Sequence, residues 1–558
     1  MEPEFSQTEF FNCAELVAPQ VATLQKQNVS QRLWAEDATL WSTDKKAQQQ
    51  IQHSLGWLTS PQKMQAVVSE LKEFSEQIIA EGFTHVLLMG MGGSSLAAEV
   101  FAKNFSENSK LSLKVLDSTD SETIGLIEAT LNLEKTLFVV ATKSGNTVET
   151  LAFKDYFFQV LQKVRGNRAG ENFVAITDPG TNLAKDAAAQ GFRKIFLNSP
   201  DIGGRYSALS FFGLWPAALL GVNLSLFLSR AKDCAEATRA SNSPALQLGA
   251  ALGEMALQKR NKIILLIDSP LEALGGWIEQ LLAESTGKNG LGLFPVVDEP
   301  LLEPSAYREN QFFVHIANSD SGQKHEALAK LREAGQQVIS LNFQDKYDLA
   351  NQFFLWEFAT AVAGNILNIN PFDQPNVQES KDVTARLLKD QTNMQAANGL
   401  IEDGLQFYST FSAETGIGYL QKLFQNFTAD DYVAFMAFLP ENPETDALFQ
   451  QLRKRVREKL RLPTSLGYGP RFLHSTGQFH KGGANNGIFL QLTADSGSSL
   501  QVPGKSYSFA TLTKAEADGD LETLHKHGRR ALGVHIIGDI QTGLKKFASL
   551  FVAATESL

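Results

Sequence analysis

The sequence predicts an α/β protein with two doubly wound parallel-sheet domains and a C-terminal α+β region. Three observations lead there. From about residue 70, short β-rich apolar runs alternate with longer amphipathic ones, the pattern of parallel strands joined by right-handed helical crossovers. The rhythm restarts after Gly203-Gly204-Arg205, and it gives way beyond about residue 385 to a different mixture. The chain has 558 residues, 43% of them hydrophobic and 20% charged, too long for one core and too apolar for disorder.

Residues 1–70 form an N-terminal segment read as helical and polar, with apolar residues at helical spacing in stretches such as QKMQAVV. A first domain, 71–202, follows. HVLLM leads through a Gly-rich turn into LAAEVFAKNF, and LKVLD precedes a helix. TLFVVAT leads into TVETLAFKDYFFQVLQKV, NFVAIT into NLAKDAAAQ, and RKIFLN comes last. The second domain, 203–384, opens with a long helical stretch and continues through NKIILLID, GLFPVV, FFVHIA and QQVISLN; a helix at 353–368 and a Pro-rich closing segment end it. The region 385–558 reads as mostly helical up to Arg461, with RKRVREKLR (453–461) as a solvated helix face, and then as strand-like runs between Gly-rich turns.

Composition narrows the function. Fifty basic against 61 acidic side chains give a net charge of −11, which argues against nucleic-acid binding, because that needs a basic surface. No apolar run approaches the roughly 20 residues that cross a bilayer, and the acidic start MEPEFSQTEFF lacks the features of an export signal. Two cysteines, Cys13 and Cys234, suit a reducing compartment. The expectation is a cytoplasmic protein that binds neither membrane nor nucleic acid. A small anionic substrate would have to be held by local amides and a few cations.

Two βα turns fit that task. The first, LMGMGGSSL (88–96), sets Gly93 and Ser94 between a strand and a helix, where glycines let the backbone approach a ligand and the helix N-terminus offers N–H groups to an anion. Ser95 occupies the last position of the G-x-G-x-x-G spacing, so the dinucleotide fingerprint is incomplete. The second, ATKSGNTVET (141–150), brings Thr142, Lys143, Ser144 and Thr147 to the end of TLFVV. Helix capping by Ser144 or Thr147 would explain one such turn; two at neighbouring strand ends point to a ligand at the sheet edge.

These motifs, followed by DIGGRYS (201–207), QLLAESTGK (280–288) and NPFDQPNVQESK (370–381), resemble the phosphoglucose isomerase family of sugar-phosphate isomerase (SIS) domains over roughly residues 70–385. The resemblance implies two SIS domains, no cofactor and no metal, and interconversion of glucose 6-phosphate and fructose 6-phosphate in glycolysis and gluconeogenesis through a cis-enediol(ate). It implies Glu284 as the base that carries the proton, Arg205 as the cation beside the enediolate, and Lys381 with a histidine at ring opening. Gly93, Ser94, Thr142, Lys143, Ser144 and Thr147 would hold the phosphate. It also implies a homodimer, since the family usually builds its sites at a dimer interface.

The family's histidine usually lies between the glutamate and lysine segments, but His315 and His325, which occupy that interval, lack its context. The match comes later, in LHSTGQF (473–479), so His474 is the expected ring-opening residue, with His480 as its rival, from the same subunit or a partner's. This displaced segment is similar to the isomerase module fused to transaldolase in bifunctional enzymes, although no transaldolase domain is visible. Mannose 6-phosphate as a further substrate and a non-catalytic sugar-phosphate sensor stand as alternatives. His525 and His527 are the remaining pair considered for a metal, and their i, i+2 spacing puts them on opposite helix faces.

Overall fold

The computed structural model describes residues 8–319, 324–390, 399–495, 497 and 499–556. A short strand, β1 (Thr8–Phe11), precedes a set of helices. The first sheet then collects β2 (His85–Gly90), β3 (Ser112–Leu116), β4 (Thr136–Ala141), β5 (Phe173–Thr177) and β6 (Lys194–Leu197), all parallel, in the order β3-β2-β4-β5-β6. Every residue of β4 is buried, as expected where helices cover both faces of a sheet. Alternation divides the strands between two cores: Val86 and Leu88 enter one, Leu87 and Met89 the other.

The second sheet contains β7 (Lys262–Ile267), β8 (Phe294–Val296), β9 (Gln311–Asn318) and β10 (Val338–Phe343) in the order β1-β10-β9-β7-β8. β1 is its antiparallel edge, with Thr8 opposite Leu341 and Phe11 opposite Val338. The N-terminal segment is therefore not wholly helical. Four residues are too few to reveal a period, and this strand is defined by the ladder it makes with β10. The N-terminal helices also bury Val17, Leu24, Leu33 and Trp57 in the core that both sheets share.

The third sheet holds β11 (Leu400–Glu402), β12 (Leu405–Ser409), β13 (Tyr432–Phe438), β14 (Thr464–Tyr468), β15 (Gly487–Ala494) and β16 (Arg530–Ile536), ordered β11-β12-β16-β15-β13-β14. Its four central and edge strands β16-β15-β13-β14 are parallel, and β12 and β11 add an antiparallel hairpin. This corrects the reading of 385–461 as mostly helical. β13, YVAFMAF, is buried along its whole length, so it shows no polar alternation and reads ambiguously between helix and strand.

The basic run 453–461 is the clearest departure from the sequence reading. It lies in the helix Pro443–Leu460, but Arg453 and Arg457 are 1% and 0% exposed. Spaced i, i+4, they share the face of Phe449, Leu452 and Val456 and reach into the second domain. Arg453 donates to the carbonyls of Val297 (2.7 Å) and Asp298 (2.9 Å), and Arg457 binds Glu299 through Nε (2.9 Å) and Gln311 (2.5 Å). Arg453 and Arg457 clamp this helix to residues 297–299, while Lys454, Glu458 and Lys459 of the same run stay exposed to solvent.

Candidate active site

The phosphate-binding candidates surround the N-terminus of the helix Val148–Arg165. Thr147 sits at the N-cap with extended backbone but makes no side-chain cap hydrogen bond. Its hydroxyl instead lies 2.8 Å from that of Thr142, and Ser144 Oγ accepts from the N–H of Asn146 at 3.3 Å. Capping therefore does not explain Thr147, and the positive end of the helix faces the loop with its hydroxyls. Lys143 is the exception among these residues: it pairs with Asp178 and donates to the Pro200 carbonyl at 2.9 Å.

The glycine turn after β2 packs against the catalytic candidates. Gly92 has φ +55°, and a Cβ there would stand 2.7 Å from both Gln280 Nε2 and the His474 carbonyl. A Cβ on Gly93 would stand 2.1 Å from the Gly204 carbonyl. Glycine is required at both positions by close approach. Ser94, 8% exposed, ends this turn just before the helix Leu96–Phe105.

Arg205 follows Gly204 and is 4% exposed. It donates to Ser285 Oγ (2.7 Å), Gln374 Oε1 (2.9 Å) and the carbonyls of Pro371 (2.6 Å) and Asp373 (3.0 Å). Its Nη1 also lies 3.6 Å from Glu284 Oε1. The guanidinium is thus fixed from several sides, the preorganisation that a developing negative charge rewards. Lys288 ties down the same proline segment through the carbonyl (2.6 Å) and carboxylate (2.7 Å) of Asp373. Burial and the neighbouring Arg205 bring its pKa down to about 8.

Glu284 lies near the end of the helix Leu274–Thr286 and is 8% exposed. Gln280, one turn earlier, donates to Glu284 Oε2 (3.1 Å) and to the His474 carbonyl (2.7 Å). His474 itself lies 2.7 Å from Glu149 Oε1, in the first turn of the helix behind the Thr142–Thr147 loop. Glu149 is buried, yet His474 and Lys381 hold its carboxyl below the usual range against that burial. Lys381, on the helix Pro375–Asp390, is exposed and reaches this group through its charge.

The displaced histidine segment is anchored from three sides. Arg471 binds Asp117 (2.7 Å) and Glu99 (2.9 Å) in the first domain. Gln478 bridges the Gly287 carbonyl and Asn376, both at 2.8 Å. Lys481 pairs with Asp520 at 2.5 Å within the C-terminal region that carries the third sheet, here the third domain. His474 therefore enters the site from its own chain. His480 is 2% exposed and packs among Tyr432, Phe472 and Phe489, and burial pushes its pKa well below the usual value.

Glu149, Gln280 and Gln478 lie inside the sequence motifs, but the motifs alone give them no roles. Their position offers a signal: Glu149 stands two residues after Thr147, and Gln280 stands i−4 from Glu284, on the same helix face. Arg471 gives no such signal, since its partners lie in a distant domain.

Two parallel sheets, a hydroxyl-lined helix N-terminus and a buried carboxylate–guanidinium pair are the arrangement that an isomerase of the aldose–ketose class needs. A model of the phosphoglucose isomerase family matches residues 44–291. That match spans less than half of the chain. It is 28% identical over 392 residues to glucose-6-phosphate isomerase of Prochlorococcus marinus (strain NATL2A), covering 61% of this chain and 74% of the relative. It is also 28% identical over 396 residues to the same enzyme of Carboxydothermus hydrogenoformans, covering 60% and 85%. Among solved structures, a hypothetical protein of Thermus thermophilus superimposes with a TM-score of 0.59 at 24% identity, over 68% of this chain and 100% of that one. A glucose-6-phosphate isomerase from Chlamydia trachomatis gives 0.50 at 18%, over 68% and 84%. These two likenesses concern the fold.

Proposed function

We propose that the chain interconverts glucose 6-phosphate and fructose 6-phosphate, in the cytoplasm, as a step of glycolysis and gluconeogenesis. The observation that carries this reading is the 3.6 Å approach of Arg205 to Glu284 in a site where His474 and Glu149 already form a second pair. Phosphate binds at the Thr142, Ser144 and Thr147 hydroxyls and at Ser94, where helix N-terminal N–H groups face the anion. His474, oriented by Glu149, and Lys381 exchange protons with the ring oxygen and the anomeric hydroxyl, which opens the pyranose. Glu284 then takes the proton from C2 of the aldose and returns it to C1, and Arg205 steadies the oxygen charge of the cis-enediolate between these steps.

A sugar-phosphate sensor would have no use for a buried base beside a fixed cation, so the arrangement favours turnover. The test is Glu284→Gln in a coupled assay with fructose 6-phosphate. The amide keeps shape and cannot accept a carbon-bound proton, so kcat should fall about 10²–10⁴-fold with KM little changed. Failure of the wild-type chain to isomerise, or wild-type exchange of the C2 hydrogen with solvent by the variant, would overturn the reading.

A further inference from the structure

A ligand-sized cleft lies where the third sheet meets the first domain, and the isomerase site does not use it. β13 is followed by the helix Pro443–Leu460, which packs in the outer core with Phe435 and Leu490. β15 is followed, after a loop, by the helix Phe509–Lys526, which packs on the opposite face with Met436 and Phe489. Adjacent parallel strands thus send the chain to opposite faces, and their carboxyl ends part at a topological switch point, the place where open α/β sheets hold ligands. A cavity of about 790 Å³ lies there, bounded by Phe438 at the end of β13, Pro440 beyond it, Thr493 and Asp495 at the end of β15, His535 in β16, the helix Phe509–Lys526, and residues 120–122 of the first domain. That size is ordinary for a small-molecule site.

Its chemistry differs from that of the phosphate loop. Thr493 and His535 are 6% and 9% exposed and face the cavity as a connected set: Thr493 Oγ1 lies 2.9 Å from His535 Nδ1, and Asp495 Oδ1 lies 3.1 Å from Nε2. Burial lowers the His535 pKa, which favours the neutral ring at neutral pH. Lys514 is the one lysine among the lining residues, against four carboxylates that include Asp495 and Asp518. A phosphate would meet an excess of negative charge. Hydroxyls from Thr493, Ser508, Thr511 and Thr513 instead suit a ligand that donates and accepts many hydrogen bonds, and Phe438 gives an apolar surface for C–H groups.

We propose that this cleft binds an unphosphorylated sugar or polyol, a second ligand apart from the isomerase substrate. The probes are glucose, fructose, sorbitol and maltose, with inorganic phosphate and spermine as charged competitors, titrated into the full chain by saturation-transfer NMR and calorimetry. A neutral probe should bind, and its affinity should fall at least tenfold in Thr493→Val, which removes the hydroxyl at constant shape. Ala510→Trp, on a half-buried position of the helix, should block the cleft independently and decide the matter if the first variant does not fold. Ser144→Ala in the phosphate loop should leave this binding intact. The proposal fails if no neutral probe binds, if binding survives both cleft variants, or if phosphate or spermine occupies the cleft in preference to every neutral probe.

Discussion

His474 Nε2 lies 2.7 Å from Glu149 Oε1, so a residue of the third domain completes a pair whose other half belongs to the first. Both side chains are mostly buried. Water competes weakly for either partner, and the imidazole is held by a carboxylate that nothing else in the loop replaces.

Glu149→Gln should therefore cost the ring-opening step while leaving the phosphate loop in place. The expected result is a fall in kcat of about 10²-fold, near the lower end for loss of assisted proton transfer, with KM within a few-fold of wild type. Steady-state kinetics on the cyclic sugar phosphate check this; an equal loss on an acyclic analogue would show that the residue acts elsewhere.

His474→Ala and His480→Ala should separate cleanly. The first should slow cyclic substrate by about 10²–10⁴-fold and acyclic substrate far less. The second removes a ring packed among Tyr432, Phe472 and Phe489, so its signature is a loss of stability of roughly 1–3 kcal/mol with kcat nearly intact. Thermal melts beside the kinetics distinguish the two.

Arg457→Leu should be severe. Arg457 and Glu299 form an ion pair 0% and 1% exposed, and removing one partner strands the other charge, a cost of about 3–5 kcal/mol. The double variant Arg457→Leu/Glu299→Leu should recover most of it. Urea unfolding of the three proteins gives the comparison, and an additive double variant would contradict the clamp.

Glu357 gives a pH prediction. It is 0% exposed, neither carboxyl oxygen has a hydrogen-bond partner among the described residues, and burial raises its pKa well above the usual value. With the folded pKa above the unfolded one near about 4.3, the group's contribution is fully present below that pH. It is lost as pH rises, at about 1.4 kcal/mol per unit, until the folded pKa is passed. Glu357→Gln removes this slope, so its gain in urea midpoint over wild type should be larger at about pH 8 than at about pH 5. Equal differences at the two pH values would refute it.

The first two sheets are legible in sequence because their strands are short apolar runs bounded by turns, and TLFVV with its hydroxyl-rich turn has few other readings. Glu284, Arg205 and His474 are legible because their motifs are local. What stays hidden depends on partners far along the chain. Nothing in RKRVREKLR distinguishes two arginines that meet Val297, Asp298 and Glu299 from their solvated neighbours. In the same way, Lys143 reads as a phosphate ligand within its motif, and only the fold sets Asp178 beside it.

The pairing of β1 with β10 sets an order of events on the ribosome. Thr8–Phe11 are made well before their partners Val338–Leu341, which follow only after the first domain and most of the second. At about 5–20 residues per second, that wait is roughly 20–70 s. The first sheet draws all its strands from one continuous stretch and can close during synthesis, whereas the second gains its outer edge only late. Nascent chains stalled before residue 338 should thus carry an unclaimed N-terminal strand, a natural handle for a chaperone or for a wrong edge.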